Sequence, residues 1–259
     1  MTEEQGSADE VVQATGWVFN NETGDSVTLA EFVATGDDEV PAYLEYLNLR
    51  TPDDDSKTMV EIGAGIGRMT CAFTREFGAV IACDLDPGFL ERCYETVGRF
   101  GKVDRLRTVQ VHDGHSLDLP DDCADLAFSY ITLQHCTIDD ALDLAAEAVR
   151  VVRPGGRVAL NFRAPAASDV LVVPAGSLVR ASFRIPKVGP RLTLRRRLTR
   201  IAWQVSRLHP DQVIGPMRRD LTDVEVWTNP RNKLTGYDVA KHTFYGINKH
   251  HWWLIATVA

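Results

Sequence analysis

Short apolar runs alternate along this chain with segments of helical spacing. Strands are predicted at 57–62, 79–83, 105–111 and 123–130, and helices at 68–77, 87–98 and 138–152. Such alternation favours a parallel sheet covered by helices on both faces. An earlier helix is predicted over 40–49 with Asp37 and Asp38 at its start, and two late strands at 222–228 and 250–258.

The first predicted strand runs directly into three glycines. Gly63, Gly65 and Gly67 follow Glu61, and the second strand ends on Asp84. Glycines allow a tight backbone bend and close approach of a ligand. A following helix directs free N–H groups at the bound molecule, and an acid at the tip of the next strand can accept hydrogen bonds from ribose hydroxyls. The pattern predicts a nucleoside-binding crevice.

The glycine spacing separates the classes of nucleotide site. The sequence reads G-x-G-x-G, whereas a dinucleotide fingerprint reads G-x-G-x-x-G, and no Lys-Ser/Thr of a P-loop follows. The run from Glu61 to Gly67 resembles the first motif of the class I S-adenosylmethionine (SAM)-dependent methyltransferases. A NAD-type Rossmann domain is the main alternative.

Three later segments resemble the same family in the expected order. Asp113 follows the third predicted strand, 131–136 resembles the loop after the family's fourth strand, and 152–160 resembles the turn before its fifth strand. The resemblance covers about residues 57–163. It implies an α/β fold with a Rossmann-like doubly wound sheet of seven strands, mostly parallel, closed by an antiparallel C-terminal hairpin. Residues 222–228 and 250–258 are assigned to that hairpin.

The resemblance also implies a cofactor site, with SAM as methyl donor and S-adenosylhomocysteine (SAH) as product. Asp84 would bind the ribose hydroxyls and Asp113 the adenine amino nitrogen. Arg68 would pair with the methionine carboxylate, or be a charge on the helix surface. The residues expected at the cofactor are Glu61, Gly63, Ala64, Gly65, Arg68, Asp84, Leu85, Asp113, Gly114, Ser129 and Tyr130.

Methyl transfer from a sulfonium depends mainly on alignment of nucleophile, methyl carbon and sulfur. A hydroxyl acceptor also needs a base, and an imidazole suits that role near neutral pH. His135 stands in the loop that faces the methyl group in this family, so we predict it to be the general base or to orient the acceptor. A structural histidine is the alternative. His250 and His251 are rivals that point to opposite faces of a strand.

The acceptor is predicted to be a small molecule, with a hydroxyl of a natural product, sugar or glycolipid favoured. N- or C-methylation, RNA methylation and SAM binding without transfer stay open as alternatives. Contacts to the acceptor are predicted for Trp17, Gln134, Trp203 and His251. No metal is predicted, because no acid lies between Ser129 and Cys136 where catechol-type enzymes begin their Mg²⁺ site.

Charge is distributed unevenly. Residues 1–163 carry 13 Lys/Arg and 30 Asp/Glu, whereas residues 164–219, the cap segment, carry 11 and 2. This asymmetry predicts either an anionic partner, such as an acceptor with a phosphate or carboxylate, or an electrostatic match within the molecule, while the net charge of −8 argues against nucleic acid. A helix predicted over 192–208 carries Arg196, Arg200 and Arg207 opposite its apolar stripe. Peripheral membrane contact and a solvated basic face are its two interpretations.

Length and composition predict one substantial core in four segments. These are an N-terminal helical, substrate-side segment (1–56), the SAM-binding core (57–163), the basic cap inserted after strand five (164–219) and the hairpin (220–259). Prolines between 165 and 189 predict a loop there. The polar N-terminus lacks a signal layout, and the five cysteines form no C-x-x-C pair, so a reducing cytoplasm is expected.

Overall fold

The computed structural model describes residues 7–12, 27–183, 185, 205–232, 234, 239–244 and 249–259. Their strands form one sheet in the order β3-β2-β1-β4-β5-β8-β6-β7. The strands are β1 Thr58–Ile62, β2 Ala79–Asp84, β3 Leu106–Gln110, β4 Ala124–Ser129, β5 Val152–Arg163, β6 Leu221–Thr228, β7 Ala240–Thr243 and β8 His251–Val258. Strands β1 to β5 pair in parallel, and β8 lies antiparallel between β5 and β6.

The predicted fold class is confirmed, with one more strand than the predicted seven. Strand β7, Ala240–Thr243, pairs in parallel with β6 at the edge of the sheet. Its four residues are mostly exposed. A short polar edge strand carries no alternating apolar pattern, and this is why the sequence did not predict it.

Helices cover both faces of the sheet. They are α1 Leu29–Tyr46, α2 Thr70–Glu76, α3 Pro87–Phe100, α4 Ile138–Val151, α5 Asp169–Phe183 and α6 Pro210–Met217, and residues 8–12 are also helical. Apolar side chains of α1, α2 and α3 pack on one face, and those of α4 and α6 pack on the other. This doubly wound arrangement brings the carboxyl ends of β1, β2, β4 and β5 to one edge, where ligands bind in such folds. None of the described helices is long and apolar enough to cross a membrane.

Helix α1 begins eleven residues before the predicted start at Val40. The Thr28 hydroxyl accepts from the Glu31 amide at 3.2 Å, and the Glu31 carboxylate accepts from the Thr28 amide at 2.8 Å. This capping box fixes the helix start, and the pattern T-x-x-E was present in the sequence. Asp37 and Asp38 therefore lie inside the helix, and Pro41 is accommodated within it.

Two predictions for the cap segment were wrong. Residues 169–183 form helix α5, although Pro174 led us to predict a loop; the proline removes a single backbone donor, and the helix continues through it. Residues 205–208, the end of the helix predicted over 192–208, are not helical. Their backbone instead joins the loop after β4, because the amides of Val205 and Ser206 both donate to the Gln134 carbonyl, at 2.8 and 3.1 Å. Residues 192–204 lie outside the described part of the chain.

Candidate functional site

The glycine loop after β1 forms a bare backbone bend. The Gly63 amide donates to the Cys83 carbonyl at 2.8 Å, and the Ala64 amide donates to the same carbonyl at 3.1 Å. All three glycines have positive φ, with +83° at Gly63. A Cβ added at Gly63 would lie 2.0 Å from the Thr132 hydroxyl oxygen. The loop thus needs glycine both for its conformation and for its contact with the loop after β4.

Glu61 lies beneath this bend with only 5% of its surface exposed. Its carboxylate accepts from the Thr70 hydroxyl at 2.6 Å. Burial raises the pKa of Glu61 to about 7, against the opposing effects of Thr70 and Arg68. The side chain therefore ties β1 to the start of α2, which agrees with a role in organising the loop.

Asp84 closes the other side of the bend. Its carboxylate accepts from the Gly65 amide at 2.8 Å and from the Asp86 amide at 3.1 Å. Burial raises the pKa of Asp84, and the two amides oppose that effect. The next side chain, Leu85, is 60% exposed and lies 3.8 Å from the position a Cβ would take at Gly114. An apolar side chain and a bare backbone thus flank one space at the tips of β2 and β3.

Asp113 is exposed on the loop after β3. Its carboxylate accepts from the Ser116 hydroxyl and from the amides of Ser116 and His115, at 2.8 and 3.0 Å. These bonds hold the pKa of Asp113 well below its ordinary range. The side chain is an ionised acceptor fixed within its own loop, and its predicted bond to adenine stays a prediction.

The loop after β4 packs on the glycine bend. The buried Ser129 hydroxyl donates to the Ile62 carbonyl at 3.0 Å, and Tyr130 stacks on Trp253 with ring centres 5.6 Å apart. Between them and Thr132, Ile131 adopts φ +57°, which is unusual for a β-branched residue. Strain of this kind concentrates at functional sites. Nothing in the sequence indicated it.

His135 ends a short 3-10 helix, Leu133–His135, in the same loop and is exposed. Its Nε2 lies 3.4 Å from Nε2 of Gln134. Gln134 itself is buried, and its side-chain oxygen has no hydrogen-bond partner within the described residues. The two residues predicted here as base and acceptor contact are therefore neighbours at the carboxyl edge of the sheet.

His251 opens β8 opposite Arg163 and is buried. Its Nδ1 lies 3.1 Å from the Asn161 side-chain oxygen, so the neutral ring holds the proton on Nδ1 if it donates that bond. Burial lowers the pKa of His251 to about 4, and the charges of Arg163 and His135 add to the effect. His251 thus lies near His135 as a neutral imidazole.

A buried ionic cluster at the end of β5 was not predicted. The Asp169 carboxylate lies 3.0 Å from a nitrogen of Arg163 and 3.0 Å from one of Arg207. Burial opposes ionisation, but hydrogen bonds from Arg163, the Ala166 amide and Arg207 outweigh it and lower the pKa of Asp169. The interpretation of Arg207 as part of a solvated basic helix face does not hold, since only 9% of its side chain is exposed.

Arg68 is also paired within the protein. Its Nη1 donates to Glu39 at 2.8 Å and to Thr35 at 3.2 Å. The predicted pairing with a methionine carboxylate would have to compete with these bonds. Trp17 and Trp203, two predicted acceptor contacts, lie outside the described residues.

The arrangement fits SAM. The loop after β1 has no room for a Cβ at Gly63, Asp84 at the tip of β2 is placed to bind ribose hydroxyls, and Leu85 offers an apolar contact. Residues 60–160 match a family described as "Methyltransferase domain". The chain carries a class I SAM-dependent methyltransferase domain. Known enzymes of this family take SAM as cofactor. The methyltransferase domain corresponds to β1 through β5.

Similar proteins agree on the fold. Phosphoethanolamine N-methyltransferase 1 of Triticum aestivum is 30% identical over 107 residues, which are 41% of this chain and 21% of the wheat protein. Magnesium protoporphyrin IX methyltransferase of Synechocystis, solved with SAH, superposes with a TM-score of 0.55 at 11% identity over 97% of this chain and 98% of that one.

A Haemonchus contortus phosphoethanolamine N-methyltransferase 2, solved with phosphomonomethylethanolamine and SAH, superposes with a TM-score of 0.53 at 20% identity. It covers 86% of this chain and 44% of the nematode chain. At such identities the superpositions show the fold. The matched segment spans about a fifth of the wheat protein's length.

Proposed function

We propose that this chain transfers a methyl group from SAM to a small-molecule acceptor that carries an anionic group. The observation that supports this best is the contact between two loops. Thr132, three residues before His135, donates to the Gly63 carbonyl at 3.4 Å, and its hydroxyl fills the space a Cβ would need at Gly63. The loop with the candidate base is thereby held against the candidate cofactor bend.

The proposed roles follow from this contact. SAM supplies a methyl group already activated on a sulfonium. The glycine bend and Asp84 bind the cofactor, and Leu85 with Gly114 flanks the adenine. His135, exposed at the edge of the site, removes the proton of the acceptor, and Gln134 orients it. A positioned base of this kind contributes about 10²–10⁴-fold to rate.

The cluster at the end of β5 supports an anionic acceptor. Two nearly buried guanidinium groups, Arg163 and Arg207, each lie 3.0 Å from the carboxylate of Asp169. Nη1 of Arg163 is buried and has no hydrogen-bond partner within the described residues. A buried donor without an acceptor is costly, and an oxygen of a phosphate or carboxylate would provide one.

The acceptor atom is proposed to be a hydroxyl oxygen, with an amine nitrogen as the second candidate. The amine is kept as this second candidate because the chain is similar to two proteins named phosphoethanolamine N-methyltransferases. Either nucleophile must lose a proton, so both candidates use His135 in the same way.

The experiment is a panel of four acceptors with methyl-labelled SAM: a small amino alcohol and a small diol, each with and without a phosphate. Mass spectrometry locates the added methyl group. We expect transfer to phosphate-bearing acceptors, and the methylated atom decides between oxygen and nitrogen. Faster transfer to the unphosphorylated pair would contradict the anionic acceptor. SAM binding with no transfer to any of the four, or to a wider panel of hydroxyl and amine compounds, would favour a SAM-binding protein without transferase activity.

A further inference from the structure

Helix α5, Asp169–Phe183, is apolar around its circumference and yet lies at the surface. Among its 15 residues only Asp169 and Arg180 are charged. A helix that is hydrophobic on all sides is ordinarily buried in a core or in lipid. Here Val170, Leu171 and Leu178 are 79%, 77% and 73% exposed.

The three most exposed of these side chains lie within about 100° of one another. At about 100° per residue, Leu171 and Leu178 lie within about 20° of each other, and Val170 lies about 80° from Leu178. Gly176, which is buried, lies on the opposite side next to Val173, which is 40% exposed. Five of the nine large exposed apolar side chains in the described part of the chain fall between 170 and 185. Such a concentration marks a binding surface, whereas singly scattered apolar residues need no explanation.

Charge indicates what covers this face. The cap segment, which contains α5, carries 11 Lys/Arg against 2 Asp/Glu, and residues 1–163 carry 13 against 30. An anionic surface would attract the cap segment and repel the rest of the molecule. A layer of anionic headgroups would cover the apolar side chains and attract the positive charge of the cap segment.

We propose that α5 docks on the surface of a membrane that contains anionic lipids. With 15 residues the helix is about 22 Å long, so it lies in the interface and does not span the bilayer. Asp169 at its start is joined to Arg163 at the end of β5, so docking would bring the carboxyl edge of the sheet, with the candidate site, to the membrane. This proposal does not depend on the acceptor.

Vesicle sedimentation tests the proposal with the full chain. Vesicles of phosphatidylcholine alone are compared with vesicles containing about one third phosphatidylglycerol, at low and high salt. We expect binding to the anionic vesicles that weakens as salt rises. The double variant Leu171→Ser/Leu178→Ser should reduce the partition coefficient about tenfold or more, because both side chains would leave lipid. Tyr94→Ser, which changes a 57% exposed aromatic on α3, is the matched control and should bind as wild type.

Thermal unfolding of each variant checks that it is folded. We expect the double variant to fold, because both leucines are exposed. Wild-type protein that binds neither vesicle would overturn the proposal, as would equal binding by the double variant. Equal affinity for neutral and anionic vesicles would overturn the role of charge. A lipid-free dimer that the double variant dissociates, with no vesicle binding, would assign the face to a second copy instead.

Discussion

The core at residues 57–163 and the cap segment at 164–219 satisfy their polar groups in different ways. In the core, the carboxylates of Glu61 and Asp84 accept hydrogen bonds from groups less than 20 residues away, in the glycine loop, at the start of α2 and in the loop after β2. In the cap segment the partners are distant in sequence: Ser206 donates to the Leu133 carbonyl at 2.8 Å. The bonded residues on the cofactor side are thus close together in the sequence, whereas those on the acceptor side come together only when the chain folds.

The largest effect is expected from His135→Ala, which removes the proposed base. Turnover should fall about 100-fold or more, while SAM affinity stays within about twofold, because the ring is not part of the cofactor bend. Steady-state kinetics and calorimetry separate the two quantities. His242→Ala, which changes an exposed histidine at the far edge of the sheet, is the control. Unchanged turnover in His135→Ala would transfer the role of base to another group.

The next effect is expected from Gly63→Ala. The residue would have to hold φ +83° and its Cβ would overlap the Thr132 side chain, so SAM affinity should fall about 100-fold or more. Gly98→Ala is the control, since a Cβ there meets nothing within 4 Å. That helical position should be neutral or slightly stabilising. Equal SAM affinity in both variants would show that the cofactor does not use the bend.

A pH series of unfolding should distinguish the two sides of the molecule. The pKa of Glu61 is raised to about 7, so its contribution to stability is present below its unfolded pKa, near 4.5, and is lost as pH rises through 7. The pKa of His251 is lowered to about 4, so its contribution is present above 6.5 and is lost as pH falls through 4. The difference from wild type should therefore change in opposite directions in Glu61→Gln and His251→Gln.

The expected size is about 3 kcal/mol for each group, from about 1.4 kcal/mol per pKa unit. Thermal unfolding of wild type and both variants between pH 4 and 8 measures it. A pH-independent difference in either variant would contradict the burial assigned to that residue.

The smallest effect is expected from Arg163→Met. Loss of the buried guanidinium should raise KM for phosphate-bearing acceptors about tenfold and leave KM for uncharged acceptors within about twofold. If the role of Arg163 were only structural, the variant would be less stable and the KM values for both kinds of acceptor would change together. Arg153→Met, at a side chain 55% exposed, is the control.

The sequence predicted the core well because its signals are local. The strand ending at Ile62, the glycines after it and the acid at Asp84 are each defined within a few residues, and the structure brings them together. The predicted start of the helix at residue 138 is likewise confirmed, and the Thr137 hydroxyl caps α4 by accepting from the Asp140 amide at 3.2 Å.

The cap segment was predicted poorly because its structure depends on partners far away. Arg207 has helical spacing relative to Arg200, and only the distant Asp169 explains why it is buried. Helix α5 shows no polar face in sequence, so neither its periodicity nor Pro174 indicated a helix. The positive φ of Ile131 is likewise set by tertiary packing, and β-branched residues give no sign of it.

Calorimetric titration of SAH tests the central claim most directly, namely that the bend after β1 and Asp84 bind the cofactor. We predict one site in the wild-type protein, affinity lowered about tenfold or more in Asp84→Ala, and wild-type affinity in Glu91→Ala, whose side chain is 77% exposed on α3. Absence of SAH binding to the wild type, or equal binding by Asp84→Ala, would contradict the account.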